Sequence, residues 1–135
     1  MGAGRVSPED VTEDDWRQLK DAARAMLSRA YAPYSHFPVG AAALVDDGRI
    51  VVGANVENAS YGLTLCAECA LVSDLARTGG GTLVAFVCVD EDGDPLAPCG
   101  RCRQLLTEFS AKGMRLAMPT GEMTIDEVLP GAFQL

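Results

Sequence analysis

Two pairs of cysteines have the spacing that metal sites use. Cys66-Ala67-Glu68-Cys69 is followed further along the chain by Cys99-Gly100-Arg101-Cys102. Residues three apart at the start of a helix can present their side chains to one point, and thiolates are preferred zinc ligands. The spacing therefore predicts a zinc site, with one ion per chain.

The position of Glu68, between the first two cysteines, leaves two kinds of zinc site open. In a structural site all four cysteines would close a tetrahedron and Glu68 would be a surface carboxylate. In a catalytic site three cysteines would bind, water would take the fourth position, and Glu68 would move protons. The spacing alone does not decide between them.

Both cysteine pairs lie where the chain is expected to enter a helix. The first predicted helix of this kind runs from Cys66 to about Arg77 and ends at Gly79-Gly80-Gly81, and the second runs from just after Pro98 to about Ala111. The free N–H groups and positive dipole ends of helix starts lower thiol pKa values and favour thiolates. These two helices would position the metal ligands.

The remaining pattern alternates helices with strands. Thr12 and Asp15 form a capping-box sequence at the start of an amphipathic segment. The predicted elements are a helix over 13–30, a hairpin of 39–45 and 50–56, strands over 82–89 and 114–118, and a helical turn over 125–129. This order predicts an α/β fold, a three-layer α/β/α sandwich around a mixed sheet of four to five strands.

Bulk properties exclude several classes of function. The 135 residues predict a single domain over 1–135, with 1–10 as a flexible leader. The net charge of −8 argues against a nucleic-acid-binding protein, and no apolar run approaches the roughly 20 residues of a membrane span. An odd cysteine count without a recognisable secretory signal favours reduced thiols and a cytoplasmic location.

The cysteine motifs also carry a family resemblance. Cys66-Ala67-Glu68, followed by Pro98-Cys99-Gly100-Arg101-Cys102, resembles the signature of zinc nucleobase deaminases, with cysteine in the histidine position. Over nearly its whole length the chain is similar to short, homotetrameric cytidine deaminases. This resemblance implies that Cys66, Cys99 and Cys102 bind Zn²⁺ and that Glu68 is the catalytic proton shuttle.

The resemblance also implies a nucleoside-binding site. Asn55 and Glu57 match the pair that hydrogen-bonds the ribose 3′-hydroxyl in this family, and Phe37 matches the aromatic residue that packs on the pyrimidine. Ala67 matches the position whose backbone contacts the base. We therefore expect a small-molecule nucleoside as substrate, with no nucleic-acid or membrane partner.

Two further positions imply sites shared between subunits. Phe133 lies where the family has a C-terminal Phe that reaches a neighbouring subunit's site, and Tyr61 lies in a loop that the family shares between subunits. We therefore expect a homotetramer.

The implied activity is hydrolytic deamination of cytidine and 2′-deoxycytidine to uridine and 2′-deoxyuridine with release of ammonia, in pyrimidine salvage. An alternative within the fold is a deaminase for another cytosine nucleoside such as blasticidin S. A non-enzymatic, four-cysteine structural zinc module is the alternative from another class.

One position departs from the family pattern. The family often has Arg directly after Cys-Ala-Glu, where it offsets the charge of the thiolates, whereas this chain has Cys69. Candidates for the missing donor are the Cys69 thiol, the two helix N-termini, or a nearby arginine such as Arg103. We expect His36 to be a solvated loop residue and Cys88 to be a small core side chain.

Overall fold

A computed structural model describes residues 5–135, in which six strands form one mixed sheet flanked by helices. The helices are α1 (Glu13–Met26), α2 (Ala67–Arg77), α3 (Gly100–Phe109) and α4 (Ile125–Val128). The strands are β1 (Gly40–Val45), β2 (Ile50–Ala54), β3 (Leu83–Val89), β4 (Pro95–Leu96), β5 (Ser110–Met118) and β6 (Gly121–Thr124).

The sheet has the order β2-β1-β3-β5-β6, and the short strand β4 also pairs with β3. Strand β1 is antiparallel to both β2 and β3, whereas β3 and β5 are parallel. A parallel pair needs a crossover connection, and α3 lies in that connection. Helix α1 packs on one face of the sheet, and α2, α3 and α4 lie on the other. The predicted α/β/α sandwich is confirmed.

The central strands are buried on both faces, as their apolar sequences predict. In β1, Ala42 and Leu44 pack in the cluster that contains α1, and Ala41 and Ala43 pack in the cluster that contains α2. Every residue of β1 and of β3 is buried. Small side chains in β1 let helices approach closely from both sides of the sheet.

Several boundaries differ from the sequence-based expectation. The α-helical part of the first helix ends at Met26 and continues as a 3-10 turn over Leu27–Arg29. Helix α3 ends at Phe109 rather than near Ala111, because Ser110 has an extended backbone and begins β5. The sheet has six strands rather than four to five. Strand β4 has only two residues and β6 has no apolar run, so neither carried a strand signal.

The structure describes residues 5–10 of the segment 1–10 that the sequence predicts to be a flexible leader. Residues 1–4 lie outside the described residues. Beyond them, the Val6 N–H donates to the Asp46 carbonyl over 2.8 Å, and Pro8–Asp10 form a 3-10 turn with Ser7 as its N-cap. The flexibility of this segment, like the single-domain assignment over 1–135, stays a prediction. Within residues 5–135, no helix combines the length and the apolar character needed to cross a bilayer.

Strand β2 contacts the start of α2 through a glycine. A Cβ atom placed on Gly53 would lie 2.3 Å from the Ala67 carbonyl oxygen and 2.6 Å from the Leu71 backbone nitrogen. Backbone atoms cannot yield to such contacts as a flexible side chain can. Because Ala67 precedes Glu68, the absent side chain at Gly53 fixes where the first turn of α2 lies on the sheet.

We therefore expect Gly53→Ala to destabilise the protein by about 2 kcal/mol through overpacking. Thermal unfolding followed by circular dichroism should show a Tm lower by about 8 °C. The matched control is Gly62→Ala, since a Cβ at Gly62 would meet open space. Equal Tm values for Gly53→Ala and the unmodified chain would contradict the proposed contact.

Candidate active site

Three of the four motif cysteines converge on one point. The Sγ atoms of Cys66, Cys99 and Cys102 all lie within 4.8 Å of one another. Thiolates at about 2.3 Å from a tetrahedral zinc ion would be about 3.8 Å apart, so these three cysteines can share one ion. Within residues 5–135, Cys69 is not a member of this group. The geometry favours the three-cysteine arrangement over the closed four-cysteine one.

Two helix starts bring the three thiols together. Cys66 and Cys99 are the N-cap residues of α2 and α3, each with an extended backbone, and Cys102 lies buried in the first turn of α3. The Cys66 carbonyl accepts from the Cys69 N–H over 2.9 Å, and the Cys99 carbonyl accepts from the Arg103 N–H over 3.0 Å. The prediction that both pairs lie at helix starts is confirmed.

The three thiols have different electrostatic environments. Burial raises the pKa values of the Cys66 and Cys102 thiols. Burial also opposes ionisation of Cys99, but hydrogen bonds from the Cys102 backbone and from the Cys102 and Cys66 thiols outweigh it, so the pKa of Cys99 is lowered. Crowded, partly desolvated sulfur ligands of this kind suit zinc, because a bound dication stabilises the thiolates that burial disfavours.

Glu68 is a buried carboxyl beside these thiols. It is the second residue of α2, and only 4% of its surface is exposed. Burial raises the pKa of its carboxyl group above the ordinary glutamate range. A carboxyl group whose pKa is raised holds a proton more readily than an ordinary glutamate does, as a group that accepts and later releases a proton must.

A cavity of about 280 Å³ opens over the thiols and Glu68. Its lining includes Phe37, Asn55, Cys66, Ala67, Glu68 and Cys99. The structure therefore brings most of the sequence-predicted base-binding and metal-binding positions into one cavity. A cleft of about 490 Å³ beside α1 is larger but has none of the cysteines in its lining.

Asn55 holds the segment that carries Phe37. The side chain of Asn55 is buried, with 8% exposed, and donates from Nδ2 to the Phe37 carbonyl over 3.0 Å. Its Oδ1 accepts from the Val39 N–H over 2.9 Å. These bonds use one of its two amide hydrogens and part of its acceptor capacity, which leaves groups for a ligand.

Glu57 lies in an adjoining cavity of about 260 Å³, whose lining includes Thr64, a residue that also lines the cavity over Glu68. Hydrogen bonds from the Ser35 hydroxyl and from the Ser35 and Tyr34 backbones lower the pKa of Glu57. Tyr61 lines the same cavity and forms an edge-on aromatic pair with Tyr34, with ring centroids 6.3 Å apart. A permanent carboxylate therefore lies next to the cavity that holds Glu68.

Phe133 lies apart from both cavities and is bound to α3. Gln104 Nε2 donates to the Phe133 carbonyl over 3.1 Å, and the Phe133 N–H donates to Gln104 Oε1 over 3.2 Å. The side chain of Phe133 is largely exposed. Its contribution to a neighbouring subunit's site stays a prediction.

Arg103, one of the candidates for a hydrogen-bond donor to the thiolates, makes its hydrogen bonds elsewhere. The Arg103 guanidinium donates to the Pro98 and Val128 carbonyls, both over 2.9 Å, and so is engaged away from the thiols. Arg101 is exposed, and its Nη2 lies 3.5 Å from Cys69 Sγ. Its position between two ligands was the available signal in the sequence.

Sequence reasoning also missed wall residues of the site. Cys88 is a buried core side chain, as predicted, but it also lines the cavity over Glu68. Thr64 and Ser35 lie in loops that carry no chemical motif of their own. His36 is exposed, as expected for a loop residue, and has a left-handed backbone with φ 57°.

The fold and the site define a class of protein, an α/β/α domain in which two helix starts supply three cysteines beside a buried glutamate, as in zinc-dependent deaminases. The family model described as the cytidine and deoxycytidylate deaminase zinc-binding region matches residues 13–118. This chain belongs to the cytidine deaminase family.

Individual relatives agree with this assignment. The cytidine deaminase of Mycobacterium tuberculosis (strain H37Rv) is 54% identical over 121 residues, which cover 90% of this chain and 91% of that protein. The cytidine deaminase of Halalkalibacterium halodurans is 42% identical over 120 residues, covering 85% of this chain and 90% of that protein. The crystal structure of the Mycobacterium leprae cytidine deaminase has a TM-score of 0.84 and 55% identity, covering 86% of this chain and 98% of that one.

The geometry predicts different effects for the two members of the first cysteine pair. Cys66→Ser should lose most of its bound metal because the three-thiol group is broken, whereas Cys69→Ser should retain about one zinc per chain. Metal content of the purified proteins, measured by atomic emission, checks this. Equal zinc loss in Cys69→Ser and Cys66→Ser would instead indicate a four-cysteine site.

Proposed function

We propose that this protein catalyses the hydrolytic deamination of cytidine and 2′-deoxycytidine to the uridine products and ammonia, with zinc as its cofactor. The observation that carries the proposal is the buried Glu68 carboxyl in one cavity with Cys66 and Cys99 of the three-thiol group. A purely structural zinc site has no need of a buried acid at its edge.

The residues present fit a zinc ion. Three thiols close enough to share one metal, at the starts of two helices, supply the soft donors and the positive dipole ends that favour bound thiolates. Cys66, Cys99 and Cys102 would hold the ion beside the cavity that contains Glu68. Zinc there would act as a Lewis acid and make a water molecule acidic enough to provide hydroxide near neutral pH.

Glu68 would move the protons of the reaction. It accepts a proton from the attacking water and passes it to N3 of the pyrimidine while oxygen adds to C4. It then assists proton transfer to the departing amine, so that one water is consumed, the C4–N4 bond breaks and one ammonia leaves. The raised pKa of Glu68, caused by burial, suits a group that must take up and release the same proton.

The surrounding residues would hold the substrate over this centre. Phe37 would pack on the pyrimidine, and the Ala67 backbone would contact the base edge. Asn55 and the Glu57 carboxylate would bind the ribose 3′-hydroxyl. The cavities containing Glu68 and Glu57 adjoin at Thr64, which matches the connected base and sugar of a nucleoside. Binding energy from the sugar helps to orient C4 for attack.

The exposed surface supports assembly into a homotetramer with shared sites. Large apolar side chains remain exposed in the segment between β2 and α2 and at the C-terminus, among them Tyr61, Leu63, Leu65, Phe133 and Leu135. Apolar surface of this kind is commonly buried between subunits. We further propose a cytoplasmic role in pyrimidine salvage, which fits a nucleoside substrate and reduced thiols.

Removal of the carboxylate tests the central role of Glu68. Glu68→Gln should lower kcat by about 10⁴-fold, because the amide cannot shuttle a proton, while about one zinc per chain stays bound. The loss of ultraviolet absorbance as cytidine becomes uridine gives the rate, and atomic emission gives the zinc content. Glu91→Gln, at an exposed acid in the turn between β3 and β4, is the charge-matched control.

Either of two results would contradict the assignment. Substantial turnover by zinc-loaded Glu68→Gln would remove Glu68 from its proposed role. A zinc-loaded, folded native protein that leaves cytidine and 2′-deoxycytidine unchanged would overturn the proposed substrate, and turnover of another cytosine nucleoside would then identify a different one.

Mixed assemblies test whether subunits share sites. Phe133→Ala should lower kcat/KM by about five- to tenfold through a lost aromatic contact. When Phe133→Ala and Glu68→Gln chains are co-expressed and co-purified by two tags, activity per intact Glu68 should exceed that of the Phe133→Ala protein alone. The Glu68→Gln chains then lend Phe133 to neighbouring sites. Unchanged activity per intact Glu68 would show that Phe133 does not act between subunits.

A further inference from the structure

One hydroxyl group joins the proposed sugar-binding and base-binding residues. Ser35 Oγ donates to Glu57 Oε2 and accepts from the Phe37 N–H over 3.0 Å. Glu57 lies in the segment that follows β2, whereas Phe37 belongs to the loop that precedes β1. The Ser35 side chain thus connects the position of the Glu57 carboxylate to that of the Phe37 backbone.

The backbone next to Ser35 forms a turn that brings the Phe37 N–H to the Ser35 hydroxyl. His36, between Ser35 and Phe37, has φ 57°, a left-handed conformation that is uncommon for a residue with a side chain. The His36 N–H donates to the Ala32 carbonyl over 3.1 Å. This turn directs the Phe37 N–H back toward Ser35 Oγ. The loop therefore makes a tight turn at His36, directly after Ser35, whose hydroxyl contacts both Glu57 and Phe37.

The contacts of Glu57 leave room for one more donor. Its Oε1 accepts from the Tyr34 N–H over 2.9 Å and from the Ser35 N–H over 3.1 Å, while Oε2 accepts from the Ser35 hydroxyl. A carboxylate has about four acceptor positions and no hydrogen to donate. The remaining position on Oε2 therefore suits a ligand hydroxyl, and Ser35 fixes the direction in which that position points.

We propose that Ser35 is a positioning residue that makes the enzyme selective for nucleosides with a free ribose 3′-hydroxyl, because it orients the Glu57 carboxylate for that hydroxyl. Asn55 also holds the Phe37 segment, through the Phe37 carbonyl, so the contact with the base does not depend on Ser35 alone. The proposal rests on the proposed function, in which Glu57 binds the sugar. Ser35 lines the cavity that contains Glu57 and is not among the lining residues of the cavity that contains Glu68. Its effect should therefore depend on the substrate's sugar rather than on the chemical step.

The test compares two substrates that differ only in the 3′-hydroxyl, 2′-deoxycytidine and 2′,3′-dideoxycytidine. Ser35→Ala should raise KM for 2′-deoxycytidine about tenfold with kcat changed less than about threefold, since one charge-assisted hydrogen bond is misdirected. For 2′,3′-dideoxycytidine the change in kcat/KM should be below about threefold. Ser35→Thr, which keeps the hydroxyl, should restore most of the selectivity. Ser73→Ala, at an exposed serine of α2, is the control.

A Glu57→Gln variant separates failure of this inference from failure of the proposed function. If Glu57→Gln loses selectivity for the 3′-hydroxyl and Ser35→Ala does not, Ser35 has no positioning role and the nucleoside site stands. If both lose it, Ser35→Ala in the Glu57→Gln background should cause little further loss. Independent, multiplying effects would overturn the link through Glu57. If neither variant loses selectivity for the 3′-hydroxyl, the sugar-binding role of Glu57 fails, and this inference fails with it.

A structural control covers loss of folding. Thermal unfolding of zinc-loaded Ser35→Ala and Ser35→Thr shows whether each variant is folded at the assay temperature. If Ser35→Ala is unfolded there, Ser35→Cys, whose thiol is only a weak hydrogen-bond donor, decides instead. A folded Ser35→Cys supports the proposal if its kcat/KM for 2′-deoxycytidine falls relative to that for 2′,3′-dideoxycytidine, and an unchanged ratio of the two values contradicts the proposal.

Discussion

The structure of the site depends on one constraint, that two helices must begin at the same point on one face of the sheet. Cys66 and Cys99 are the residues just before α2 and α3, so their thiols meet where unpaired N–H groups and positive dipole ends also meet. The glycine at position 53 lets α2 lie close against β2 at that point. The three thiols, which would carry excess negative charge on binding a metal ion, therefore lie where the backbone offers partial positive charge.

The same convergence explains why the site contains groups that folding alone would disfavour. Burial raises the pKa values of Glu68, Cys66 and Cys102, which means that the folded protein resists ionising them. The surrounding core of small and branched apolar side chains in β1 and β3 supplies the rigidity that holds them together. A bound dication would relieve the cost for the thiols and leave Glu68 available for proton transfer.

One departure from the family pattern near the thiols is accompanied by a contact from another helix. Where the family often places Arg on α2, this chain has Cys69, and Arg101 reaches across from α3 to its sulfur. On the sugar side, Glu57 is likewise held by a loop distant in sequence, through Ser35 and Tyr34. Both arrangements join separate segments around the centre.

The sequence by itself determined the layered α/β/α architecture and placed both cysteine motifs at helix starts, because hydrophobic period, helix caps and short motifs are local properties. Through its resemblance it also indicated the family and the grouping of Cys66, Cys99 and Cys102. Tertiary structure decided what depends on distant segments meeting. It extended the sheet by the short strand β4 and the polar strand β6, which are strands only through pairing with β3 and β5. It also directed Arg101, and not Arg103, toward a cysteine of the first motif, and it placed Ser35 between Glu57 and Phe37. Side chains from distant segments make such specific contacts only after the sheet has brought those segments together.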